Sequence, residues 1–294
     1  MKSFKRLLSL AAIVCIGLTA CQKEFTIEED PGTNPPATLS SDYLSKFYYI
    51  DSTAGVKDTF RIVSYEYDAQ KRVVQIVDSG DIGPAFSLLP ERSYQYSYNG
   101  SDTIPFKSLY QKYSWPPSGV VAVDSQTIFH FYDAQLNRVK DSVSDFSANA
   151  SNIWYTRLYT YTATSITEVT TFPGSTPDTT VTRVDARGNI ILGESDPDGL
   201  FTYEFDNNPS PFARLSNFKA LRLTVDAEAA GYFYQLKNTN NFTKNTDFSP
   251  SQSLFEIWDL TGDYNYRTDG YPARIKDEYA PGQFEIIEFK YILL

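Results

Sequence analysis

A single histidine, His130 in "FHFY", limits nucleophilic chemistry in this 294-residue chain. Any Ser-His-Asp or Cys-His arrangement has to use it. In an extended strand His130 alternates with Phe129 and Phe131 and faces the side opposite to both. With the phenylalanines inward, His130 is expected to be an exposed strand residue and not a base. The stretch "GESDPDG" (193–199) lacks the second glycine of a nucleophile elbow after Ser195. It also lacks the downstream glutamate and ligand spacing of an EF-hand loop. Glu194, Asp196 and Asp198 offer carboxylates for a loosely held calcium ion, but Asp-Pro-Asp-Gly (196–199) is a strong turn sequence and the turn is the favoured reading. A glycoside hydrolase needs two carboxylates at a defined separation. The 36 acidic residues offer many such pairs, and sequence alone does not select one. Trp115 lies on the proline-rich "YSWPPSG" (113–119), either as an exposed platform for a sugar face or partner or as a cap on the core. Trp154 and Trp258 fall inside strand-like runs and read as core. No phosphate-cradling glycine loop and no Cys/His cluster is visible, so no cofactor and no metal is expected.

The elements that must position these residues are strands. Period-two alternation runs through "FRIVSYEYD" (60–68), "RSYQYSYN" (92–99), "TIFHFYD" (127–133), "RLYTYTATSITEV" (157–169), "GLFTYEFD" (199–206) and "FEIIEFKYI" (284–292). The aromatic fraction of 15%, with 22 Tyr and 20 Phe, favours the same state. Roughly sixteen strand candidates are separated by short connections, which leaves no room for parallel crossovers. Helix evidence is confined to 210–223 and 225–236. The expected fold is an all-β, many-stranded antiparallel meander with few short helices. A sheet of that width must curl open, become barrel-like or fold into a sandwich. The turns share a grammar: "YDAQKRV" (67–73), "YDAQLNRV" (132–139) and the looser "VDARGNI" (184–190) each place Asp where its carboxylate accepts backbone N–H groups two residues on.

The first forty residues have a different composition. "MKSFKR" is basic, and the apolar run at 7–18 is twelve residues long, too short to span a bilayer. A basic start, a short apolar run and small residues read as a signal peptide over 1–20. Residues 21–41 carry three prolines and an acidic cluster and read as a tether, with a coil reach of roughly 25 Å. Residues 42–294 form the single all-β domain. The formal net charge is -10, and it becomes -13 once Lys2, Lys5 and Arg6 leave with the leader. That balance argues against nucleic acid as a partner and against a basic docking patch for anionic lipid.

"L-T-A-C" (18–21) resembles the lipobox of bacterial lipoproteins, which implies that Cys21 is lipidated and becomes the first residue of the mature protein. With Cys15 lost in the leader, Cys21 has no disulfide partner, and acylation accounts for a lone cysteine in an oxidising compartment. "QKE" (22–24) is similar to the short export signal of Bacteroidota-type lipoproteins, which implies the outer membrane and the cell exterior. The aromatic-x-Tyr-Asp hairpins resemble YD-type hairpins of bacterial surface proteins. The segments "FDNNPSPF" (205–212), "NTNNFT" (238–243) and "YNYRTDGYPARIKDEY" (264–279) are similar to a Bacteroidota-type lipoprotein family with domains of unknown function. That resemblance implies an all-β envelope protein and carries over no catalytic residue. Asp-Ser/Thr triplets resemble an O-glycan acceptor motif of exported proteins, which would modify Ser52, Thr103, Ser142 or Thr179. The expected role is a non-enzymatic binding or scaffold module for a glycan or another envelope protein. The alternative is a carbohydrate-active hydrolase using an Asp/Glu pair.

Overall fold

A computed structural model describes residues 42–81, 88–114, 121–147, 153–193, 200–213, 215, 238–249 and 254–294. The leader, Cys21, the tether, Trp115, the 194–199 turn and most of both helix candidates lie outside these residues. The described residues fall within one compact unit, Pro36–Leu294.

Seventeen strands are described: β1 (Asp42–Thr53), β2 (Val56–Tyr67), β3 (Val73–Asp81), β4 (Leu88–Ser97), β5 (Lys107–Ser114), β6 (Val121–Tyr132), β7 (Arg138–Ser147), β8 (Ile153–Tyr161), β9 (Ser165–Thr171), β10 (Asp178–Val184), β11 (Ile190–Gly193), β12 (Leu200–Pro209), β13 (Asn240–Ser249), β14 (Leu254–Asp259), β15 (Tyr264–Tyr266), β16 (Pro272–Ala280) and β17 (Gln283–Leu293). Fourteen make one sheet in the order β11-β10-β9-β8-β7-β6-β5-β4-β3-β2-β1-β17-β16-β15, and β12-β13-β14 make a second. Every described pairing is antiparallel. The large sheet is not closed into a barrel: β11 and β15 are its two edges. The meander is the expected one, and the short helices are absent among the described residues. Pro211–Ala213, inside the first helix candidate, is a turn.

One hairpin design recurs because one residue, aspartate, satisfies a whole turn. The Asp68 Oδ1 accepts from Gln70 N–H at 2.9 Å and Arg72 N–H at 3.0 Å. Asp133 repeats this with Gln135 and Asn137, and Asp185 with Arg187 and Asn189. The other carboxylate oxygen accepts from the side chain four residues on, Arg72 Nε, Asn137 Nδ2 or Asn189 Nδ2. The third residue after each Asp takes positive φ: Lys71 at 62°, Leu136 at 60° and Gly188 at 86°. The chain exits each turn with a bulge that shifts the register at Tyr67, Tyr132 and Val184.

A tyrosine at or just past the end of β2, β4, β6 and β8 ties one hairpin to the previous one. Tyr67 Oη donates to Leu44 O at 2.6 Å, Tyr98 to Val73 O at 2.6 Å, Tyr132 to Pro105 O at 2.8 Å and Tyr161 to Arg138 O at 2.8 Å. Tyr291 repeats the tie to Pro272 O at 2.8 Å. Arginines also join turn to turn: Arg72 Nη1 donates to Gly100 O and Asp102 O in the β4–β5 turn.

The sheet has two faces, named here for the residues they carry. On the His130 face, strands β1–β5, β16 and β17 bury a large apolar core. Phe47 is at its centre, 6.0 Å from Phe289 and 6.1 Å from Phe212, with Phe242 and Leu260 in the same cluster. Farther along the same face, β6–β8 contribute only Ile128, Val143 and Tyr155 to a separate small cluster. Polar side chains fill the rest.

Candidate functional site

The expectation for His130 is reversed: its side chain is fully buried and the phenylalanines point away from it. Phe131 is 48% exposed, with Lys140 Nζ over its ring at 5.6 Å. Lys107 Nζ lies over Phe129 at 5.7 Å on the same face. Alternation correctly separates His130 from its neighbours. It does not say which side is interior, because Ile128 and Tyr132 share the histidine's parity and are as apolar as Phe129 and Phe131.

The histidine is the middle of a buried chain of hydrogen bonds. Ser108 Oγ is 2.9 Å from His130 Nε2, and His130 Nδ1 is 2.9 Å from Asp141 Oδ1. Asp141 only accepts, so Nδ1 carries the proton and Nε2 accepts from the Ser108 hydroxyl. Asp141 Oδ2 accepts from Tyr159 Oη at 2.8 Å. Arg138 closes a bidentate pair with Asp141, its Nε 2.6 Å from Oδ1 and its Nη2 on Oδ2. Register explains the meeting. Asp141 is opposite His130, and Arg138 is opposite Tyr132 after the bulge at the turn exit. The bulge places residues three apart in sequence on one face.

Three residue types and two distances match a Ser-His-Asp relay, but the surroundings oppose catalysis by it. Ser108 is in register with Tyr96 on one side and Ile128 on the other, so its backbone belongs to the sheet ladder. Ser108, His130 and Asp141 are all buried. Burial and Arg138 together hold the imidazole below its ordinary range, against the opposing pull of Asp141. Burial raises the Asp141 carboxyl, yet the bonds from His130 and Arg138 outweigh it and hold it at about 2. His130 is therefore neutral, and its contact with Asp141 is a hydrogen bond and not an ion pair. The cluster is a saturated polar network of the kind that fixes one packing arrangement.

Carboxylates gather elsewhere on the sheet. Asp58, Asp51, Glu285 and Asp277 are in direct register across β2, β1, β17 and β16. Burial, Asp277 and Asp51 push the Glu285 carboxyl up. Tyr279 Oη donates to Asp51 Oδ1 at 3.1 Å. Among the described residues no group of three or more His, Cys, Asp or Glu is arranged to hold a metal ion.

The Phe131 face of β5–β9 is the other notable surface. Trp154, expected in the core, is 51% exposed. It is opposite Ser144, which is opposite Thr127. Phe146 is on the same strand face, diagonal to Trp154, and is also exposed. Two rows on, Phe131, Lys140, Leu158 and Val169 are successive register partners. Ser142 and Thr156 lie between the two apolar rows. The face is thus a set of exposed rings and methyls separated by hydroxyls. Trp258 lies on β14 opposite Asn245. Of the glycan-acceptor candidates, Thr103 and Thr179 are exposed, Ser142 is half-buried and Ser52 is buried.

No protein-family model matches the chain, and no curated protein matches it. Similar solved structures include a porin-like protein from Bacteroides uniformis, 10% identical with a TM-score of 0.35, over 88% of this chain and 100% of that one. A porin-like protein from Bacteroides vulgatus is 12% identical with a TM-score of 0.35, over 86% of this chain and 100% of that one.

Proposed function

We propose that this chain is an envelope protein held on the outer membrane through lipid on Cys21, facing the cell exterior, and that its Phe131 face is a non-enzymatic platform for a glycan. The observation that carries the reading is the exposed Trp154 with Phe146, Phe131 and Leu158 on one hydroxyl-rich sheet face. Aromatic side chains combine a broad apolar surface with a preferred stacking geometry, and intervening Ser and Thr hydroxyls both donate and accept. Sugar rings present C–H faces and hydroxyls in the same combination. The mature chain carrying Cys21→Ser, screened on a polysaccharide panel, is expected to bind, and Trp154→Ala to weaken that binding at least tenfold. Unchanged binding in Trp154→Ala moves the site off this face. The anchor is tested by fractionation: Cys21→Ser shifts the protein from the membrane to the soluble fraction, and continued retention refutes lipidation.

A second reading, a hydrolase using two carboxylates, draws on the Asp51–Glu285–Asp277 row. Residues directly opposite in a sheet have Cβ atoms about 4.5–5.5 Å apart. A glutamate pushed up by burial and by neighbouring carboxylates is the arrangement a general acid requires. Glu285→Gln should abolish any polysaccharide cleavage that the wild-type chain shows, and cleavage surviving it would dismiss this pair.

A further inference from the structure

The chain is acidic as a whole, with 36 carboxylate side chains against 26 basic ones, but its strands sort those charges by face. Strands β5–β10 contain five acidic residues, and all five belong to the His130 face. Asp141 bonds His130 and Arg138. Asp145 accepts from Gln126, its direct register partner. Glu168 is opposite Tyr159 and pairs with Arg157 at 3.6 Å. Asp124 is opposite Lys112, the partner of Arg92, and Asp178 is opposite Thr170, whose hydroxyl bonds Glu168. On the other face the same strands carry Lys107, Lys140 and Arg183 and no acidic residue. Lys107 and Lys140 are placed there by their contacts with Phe129 and Phe131. Arg183 is exposed and two residues from Val181, which is in register with outward Thr167.

From this we infer that the Phe131 face takes an anionic polysaccharide, its carboxylate, sulfate or phosphate groups meeting Lys107, Lys140 and Arg183 while its sugar faces lie on Trp154 and Phe131. The inference rests on the glycan reading above and specifies the ligand's charge. Successive strands are about 4.8 Å apart, so Lys107 on β5 and Lys140 on β7 are roughly 10 Å apart across the sheet. Together with Arg183 on β10 they form a spaced series and not one focal anion site. A spaced series suits a polymer with charge on successive units. Charges at such a surface contribute mainly to encounter and selectivity. The rings are interrupted by Ser142, Ser144, Thr127 and Thr156, whereas a surface seated in lipid presents a continuous apolar band. That favours a polyhydroxylated ligand over a bilayer.

The test is affinity electrophoresis and calorimetry of the full mature chain with Cys21→Ser. The probes are polygalacturonate and alginate, the neutral glucans dextran and laminarin, and vesicles with anionic headgroups. The expected result is retention by the anionic polymers, weakened about tenfold by the paired change Lys107→Glu and Lys140→Glu and further weakened by raised salt. The milder pair Lys107→Gln and Lys140→Gln should give an intermediate loss, with the unfolding midpoint of each variant reporting that the fold is kept. Equal, salt-insensitive binding of neutral glucans overturns the charge inference and leaves the platform standing. Binding of vesicles alone, or of none of these probes, overturns both.

Discussion

Phe47 and Asp141 occupy the same face of the same sheet, six strands apart, and both are fully buried. Around Phe47 burial is satisfied by rings packing on rings, with Phe289, Phe212 and Tyr65 all within 6.2 Å between centroids. Around Asp141 it is satisfied by saturation: His130, Arg138 and Tyr159 together bond both carboxylate oxygens. The first solution tolerates approximate shapes. The second depends on every partner being present, because an orphaned buried charge is far more costly than a poorly packed ring.

The largest effect should come from splitting the polar network. Asp141→Ala removes the buried carboxylate that His130, Arg138 and Tyr159 all bond and should cost about 3–5 kcal/mol in urea unfolding. Replacing Arg138 and Asp141 together with Met and Leu should recover part of that loss, since His130 and Tyr159 still lose their acceptor. Phe47→Ala should cost a similar ~3–5 kcal/mol through cavity formation, and no second truncation nearby should repair it. A mild cost for Asp141→Ala would mean that water reaches Arg138, and the contrast would collapse.

Acid should distinguish the two regions next. His130 is held below its ordinary value of 6.5 in the fold, so the unfolded chain takes that proton first. Its contribution is complete above about pH 6.5 and is lost as pH falls towards the folded value. Asp141, held at about 2 against an ordinary 3.8, contributes above pH 3.8 and is lost as pH falls from there to about 2. Its shift corresponds to about 2 kcal/mol. Urea midpoints measured from pH 7 to pH 3 should fall in the wild type. In a variant with His130→Gln and apolar residues at 138 and 141 they should fall much less. Parallel slopes in the two proteins would assign acid sensitivity to the carboxylates outside this network.

Smaller effects should be shared by both regions, because the rim device is common to them. Tyr98→Phe on the apolar side and Tyr161→Phe on the polar side should each cost about 1 kcal/mol, one hydrogen bond apiece. Unequal costs would show that the ties depend on the core beneath them. At the turns, Leu136→Gly and Lys71→Gly place glycine at a positive φ and should each be neutral to stabilising, by up to about 1 kcal/mol in thermal melts. Clear destabilisation at Leu136, which is half exposed, would reveal a contact that the strained backbone serves.

Much of the architecture is legible in sequence because it is local. Period two marks strands, and Asp followed by Ala and a polar residue marks a hairpin whose hydrogen bonds close within five residues. A run of such hairpins leaves a meander as the simplest path. The choice of face is not local. "FHFY" reads equally well with either row inward, and only the partners of neighbouring strands, Asp141 from β7 and Ser108 from β5, decide it. The sequence misleads at Trp154 for the same reason: its strand alternates correctly, but it lies in register with Ser144 and Thr127 on the outward face. Closure is equally non-local, since nothing within β11 or β15 states whether the two edges meet. The network's arginine is concealed further by the bulge, which breaks the parity that links residues 138 and 141.

The tyrosine ties have a mechanical consequence. Each hydroxyl fastens the end of one strand to the start of the strand before it, and Arg72 fastens a turn to the turn beyond. Load applied at one hairpin therefore passes along the rim to its immediate neighbours and no farther in a single step. Along this rim the hairpins and the joints between them form a linear array. The sheet's width is then an adjustable length: a lineage can add or delete a whole hairpin with its tyrosine and its aspartate, and the joints on either side re-form under the same rule.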